Sequence, residues 1–64
     1  MKVGERYRRS PHANRAYVDE ILIIKFHGTT CHYVSYCDGR ASDGHHVSYE
    51  GLKRILKEHF QKVN

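Results

Sequence analysis

Long apolar stretches are missing from this chain. The longest uninterrupted run, Ile21 to Ile24, has four residues, against the roughly 20 that a membrane-spanning helix requires. No membrane span is therefore expected. Charge arrives within two residues of Met1, without the apolar stretch of about 7 to 15 residues that marks a secretory leader, so the expected location is the cytoplasm. Internal repeats, low-complexity segments and linkers are also lacking, which leaves residues 1–64 as one expected domain.

Catalytic patterns are equally scarce. There is no paired carboxylate, nucleophile elbow or phosphate-cradling glycine loop. Cys31 and His32 are sequence neighbours on an expected strand, where adjacent side chains point apart, so the imidazole does not reach the thiol. A domain of this length buries only about 60% of the surface its unfolded chain exposes, and a deep substrate pocket would consume apolar residues that folding needs. The expectation is a protein that is not an enzyme and carries no cofactor.

Cysteine is limited to Cys31 and Cys37. Six positions along one strand separate them by about 20 Å, well beyond the roughly 7 Å between Cα atoms that a disulfide tolerates. Two free thiols are expected. His27 and Cys31 flank the Gly28-Thr29-Thr30 turn and would face each other across a hairpin, near enough to share an ion. However, the chain has no Cys-x-x-Cys or His-x-x-x-His spacing to complete a tetrahedral set. A zinc or redox module using His27, Cys31 and Cys37 is accordingly the weakest of the functional readings.

Positive charge is unevenly distributed. In the first fifteen residues Lys2, Arg6, Arg8, Arg9 and Arg15 face a single acid, Glu5, whereas from Ala16 onward six basic residues meet six acidic ones. The net charge of +4 is thus local to the leading segment. Arginine clusters grip phosphates or carboxylate-rich protein patches through their planar forks. They also discourage aggregation when they lie on an exposed sheet edge. Both readings apply to Arg6, Arg8, Arg9 and Arg15, with Arg6 and Arg8 on one face of their strand and Arg9 on the other.

Strands are expected over about residues 5–10, 17–27, 31–37 and 45–48. The β-branched crowd Val18, Ile21, Ile23 and Ile24 makes the second of these the central strand. Alternation places Val18, Leu22, Ile24 and Phe26 on one of its faces and Ile21 and Ile23 on the other, with Glu20 as the expected bulge. Ile21 and Ile23 need a cover, either the C-terminal helix or another chain. In the third strand Val34 and Tyr36 are expected to face inward and Tyr33 outward beside Cys31 and Ser35. Two Asp-Gly steps within 38–44 supply the positive φ angles of turns. Leu52, Ile55, Leu56, Phe60 and Val63 recur at helical spacing, predicting an amphipathic helix over about 49–62 with Ser48 as its N-cap. The fold class is α+β and mainly β: a small antiparallel barrel or curled sheet of about four strands with one C-terminal helix.

This order resembles small SH3-like β-barrel proteins encoded by phages and other mobile elements. The likeness is carried by Lys2-Val3-Gly4-Glu5-Arg6-Tyr7 opening the first strand, Tyr33-Val34-Ser35-Tyr36 in the third, and Val47-Ser48-Tyr49-Glu50-Gly51-Leu52 entering the helix. It implies a non-enzymatic inhibitor, adaptor or small nucleic-acid binder. The implied partner is a host protein or ribonucleoprotein complex, such as a nucleic-acid enzyme or a CRISPR-type defence effector.

The candidate binding residues are Arg6, Arg8, Arg9, Arg15 and, among five tyrosines, Tyr33, since tyrosine brings large contact area at low entropy cost. Direct nucleic-acid binding, with the arginines on phosphates and a tyrosine stacked on a base, is the alternative. Lys53, Arg54, Lys57 and Lys62 read as a solvated helix face paired with Glu50 and Glu58. Six histidines would raise the charge below about pH 6.5 and strengthen any anionic contact.

Overall fold

Ile21, Ile23 and Ile24 lie in an eight-residue strand that organises the rest of the molecule. The structure, a computed structural model, describes residues 1–14 and 16–63, so the expectation for Arg15 lies outside the described residues. In chain order the elements are β1 (Arg6–Arg9), β2 (Glu20–His27), β3 (Thr30–Cys37), β4 (Arg40–Ala41), β5 (His45–Ser48), α1 (Tyr49–His59) and β6 (Phe60–Lys62). They form a small α+β fold: an antiparallel six-stranded sheet with one helix near the C-terminus. The strand order is β4-β3-β2-β1-β6, and β5 pairs with the other end of β3. Among the described residues β6 makes no ladder with β4 or β5, so the hydrogen-bonded ring of a closed barrel is not completed. No described helix is long and apolar enough to cross a membrane.

Turn chemistry sets the register. β2 and β3 meet at a tight turn in which Gly28 takes φ +62°, pairing His27 with Thr30 and Phe26 with Cys31. Asp38 and Gly39, at φ +53° and +79°, make the two-residue turn into β4, since consecutive positive φ angles match the twist of a hairpin. Arg40–Ala41 was expected to be loop; its pairing with Tyr36 and Cys37 makes it a strand instead.

The core comprises Ile21, Ile23, Cys31, Leu52, Leu56 and Phe60. Ile21 and Ile23 are therefore covered from within, by α1. That choice fixes the facing of everything paired with them: Ser35 opposes Ile21 and Tyr33 opposes Ile23, and directly opposed residues share a sheet face. Tyr33 consequently packs against the core rather than facing outward, and Val34 and Tyr36 lie on the opposite face rather than inward. Buried Ser35 is satisfied by the Ser42 hydroxyl at 3.0 Å. The bulge falls between Ile23 and Lys25, not at Glu20, and it switches the parity so that Phe26 returns to the core side while Ile24 stays 43% exposed.

Ser48 caps α1 as expected, its hydroxyl accepting from the Gly51 amide at 3.1 Å. The helix stops three residues earlier than its apolar spacing predicts. Phe60 turns extended (φ −129°, ψ 164°) and begins β6, which pairs with β1 through Tyr7 with Lys62, Arg8 with Gln61 and Arg9 with Phe60. A free β1 edge offers unpaired amides and carbonyls, and satisfying them outweighs one further helical turn.

Candidate protein-interaction face

α1 covers one side of the sheet and leaves the other open. Cross-strand register lays the open side out in rows. One row runs from Arg6 to Leu22 to Val34, the next from Arg8 to Glu20 to Tyr36 to Ala41, and Gln61 flanks Arg8 from β6. Val63, whose amide donates to the Arg6 carbonyl at 2.8 Å, extends the first row and is 46% exposed. With Ile24 bulging nearby, the face presents half-buried Leu22, Val34 and Tyr36 in its middle and guanidinium groups along one side.

Glu20 holds those groups in place. Its carboxylate lies 2.8 Å from Arg6 Nη2 and 3.6 Å from Arg8 Nη2, and its side chain is only 16% exposed while that of Arg8 is 67% exposed. The triad keeps one net positive charge and fixes both arginines over the sheet. β1 lies between β2 and β6, so these arginines are not on an edge strand. Edge protection, one of the two readings of the cluster, is thereby overturned.

The remaining predicted residues are placed elsewhere. Arg9 points to the other side of β1, donating from Nη1 to the Tyr17 carbonyl at 2.6 Å and pairing with Asp19 at 3.2 Å, so it ties Tyr17 and Asp19 to the sheet. Tyr33 stacks on His45 with ring centroids 5.1 Å apart, and burial pushes its phenol pKa up. Leu22, Val34 and Tyr36 were missed as contact residues because facing them outward requires knowing which side α1 covers.

Three imidazoles border the open face. His32 stacks on His46 with centroids 3.6 Å apart and lies 6.3 Å from His27. Burial lowers the His32 pKa, and the neighbouring His46, Lys25 and His27 lower it further. Protonation of His32 is thus opposed rather than poised near neutrality. His27 and Cys31 do not face each other as expected: the turn pairs Cys31 with Phe26, which sends the thiol into the core and His27 to the opposite side. Both cysteines are free thiols, Cys31 buried and Cys37 exposed. Asp19, Cys37 and Asp38 bring three possible ligand atoms within 4.8 Å of one another, but the Asp19 oxygens are already engaged by Arg9 and by the Asp38 amide.

No protein-family model matches the chain, and no curated protein or solved structure is similar to it.

Proposed function

We propose that this chain is a small, non-enzymatic interaction protein that docks a larger protein, or a protein–RNA complex, through its open sheet face. The observation that carries this reading is the pairing of Arg6 and Arg8 over one shared Glu20, directly beside Leu22, Val34 and Tyr36 on the side that α1 leaves uncovered. An apolar centre with aromatic and arginine anchors is the composition of a protein-binding hot spot. Arg6 and Arg8 would meet carboxylates on the partner. The resemblance to SH3-like phage proteins supports the same reading and adds the class of target, a host nucleic-acid enzyme or defence complex whose activity the docked protein blocks.

Direct phosphate binding fits less well. Phosphate affinity grows with the number of cations engaged, and Glu20 neutralises half of the charge that Arg6 and Arg8 would offer, whereas a protein contact also draws on the apolar centre. Arg9 is engaged within the fold. Fluorescence anisotropy against mixed-sequence single-stranded and duplex oligonucleotides, at about 50 and 200 mM salt, separates the readings. A contact neutralising four phosphates weakens roughly a hundredfold over that range. Docking to protein predicts no oligonucleotide affinity tighter than the micromolar non-specific level. Tight, salt-steep binding that disappears in R6E/R8E would replace this proposal with the nucleic-acid one.

A further inference from the structure

On the helix-covered side of the sheet, where α1 passes β1 and β6, the surface folds into a groove of about 290 Å³. Tyr7, Leu56 and Phe60 supply apolar walls, and Lys53, Lys57 and Lys62 stand around them. Met1 completes the lining, and its terminal ammonium, 4.0 Å from Glu5 Oε1, adds a fourth cation. The four are not equivalent. Lys62 is engaged by Glu5, with Nζ 2.8 Å from Oε2, and the Tyr7 hydroxyl donates to the other carboxylate oxygen at 2.9 Å. Lys53 and Lys57 lie one turn apart on α1, both exposed, and among the described residues neither forms an ion pair. Glu50 and Glu58 lie near the same lysines along the outer flank of the helix, but not within ion-pair distance.

Lys62 and the Met1 ammonium already share the Glu5 carboxylate, whereas among the described residues Lys53 and Lys57 have no carboxylate within ion-pair distance. An anion is therefore favoured beside Lys53 and Lys57, next to the apolar lining. A volume near 300 Å³ is at the lower limit for small-molecule sites, which combine apolar lining with a few placed polar groups. We propose that the groove binds a small amphipathic carboxylate, its head between Lys53 and Lys57 and its hydrocarbon body over Leu56, Phe60 and the Tyr7 ring. The site is independent of Arg6 and Arg8 and therefore of the docking face.

Amide NMR titrations of the whole chain with octanoate, octanol and acetate test the assignment. Octanoate is expected to shift amides in the second half of α1 and in β6 saturably, with octanol and acetate each at least about tenfold weaker, because charge-assisted contact and apolar burial are both needed. The double variant K53Q/K57Q changes two exposed side chains and should keep the fold. It is expected to weaken octanoate about tenfold and leave octanol unchanged. Equal affinity for octanol and octanoate, an unaltered response in K53Q/K57Q, or shifts scattered over the whole surface would each overturn the proposal.

Discussion

Replacing Phe60 with alanine removes the residue at which helix becomes strand. Phe60 is 5% exposed, belongs to the core cluster with Leu52 and Leu56, meets the Tyr17 ring edge-on at 6.2 Å, and donates its amide to the Leu56 carbonyl as the helix ends. Truncating a buried phenylalanine costs about 3–5 kcal/mol. At roughly 0.05–0.15 kcal/mol per residue, a chain of 64 residues has a total stability of about 3–10 kcal/mol. F60A should therefore remove between about a third of the stability and all of it. In urea, with a slope of about 1 kcal/mol per molar for so small a protein, the circular-dichroism midpoint should fall by about 3 M or vanish. F60L, which keeps most of the volume, should lose less than about 1.5 kcal/mol, and V63A, on an exposed side chain, within about 0.5 kcal/mol. A loss below about 1 kcal/mol for F60A would show that Phe60 is not buried between α1 and the sheet as described.

Thiol reactivity should divide sharply. Cys37 is exposed, while Cys31 is fully buried and desolvation raises its pKa, so Ellman's reagent should modify one thiol quickly and the other only on unfolding; equal native rates would contradict the burial. The Glu5 pKa is lowered from 4.5 to about 2 by the Lys62 hydrogen bond first, then by the Lys2 amide and the Tyr7 hydroxyl. A depressed carboxylate pKa means that the unfolded state binds the proton more readily, so this contribution is intact above pH 4.5 and is lost as pH falls towards 2. E5Q should flatten the acid limb of the stability–pH curve, and an unchanged limb would refute the linkage. At Gly51 an added Cβ would sit 2.7 Å from the Ser48 hydroxyl. G51A should therefore fail to gain the roughly 1 kcal/mol of helix propensity, because the cap is displaced. In an S48A background the gain should reappear, and its absence there would contradict the steric explanation.

Much of the fold was legible from local pattern. The β-branched run announced β2, the Asp38-Gly39 step announced its turn, and Ser48 announced the start of α1, because each depends on neighbours in sequence. What stayed hidden depends on partners distant in sequence. Phe60 and Val63 continue the helical spacing of Leu52 and Leu56, and only the unpaired flank of β1 explains why the chain turns to strand there. The displaced bulge misled more. Alternation alone does not say which face of β2 is buried, and with the break assigned to Glu20 instead of Ile24 the facing of β3 came out reversed, taking Tyr33 outward and Tyr36 inward. At the candidate site, the shared face of Arg6 and Arg8 followed from period two. The distinct role of Arg9 did not, since Tyr17 and Asp19 come into reach only once the loop folds back.

The open face is tested most directly by capturing partners on the immobilised chain from a cell lysate, with and without nuclease, beside R6E/R8E and K53Q/K57Q. Docking through Arg6, Arg8 and the apolar strip predicts a discrete protein partner that survives nuclease, is retained by K53Q/K57Q and is lost in R6E/R8E. Capture of the same partner by R6E/R8E, or a partner set that nuclease removes entirely, would contradict it.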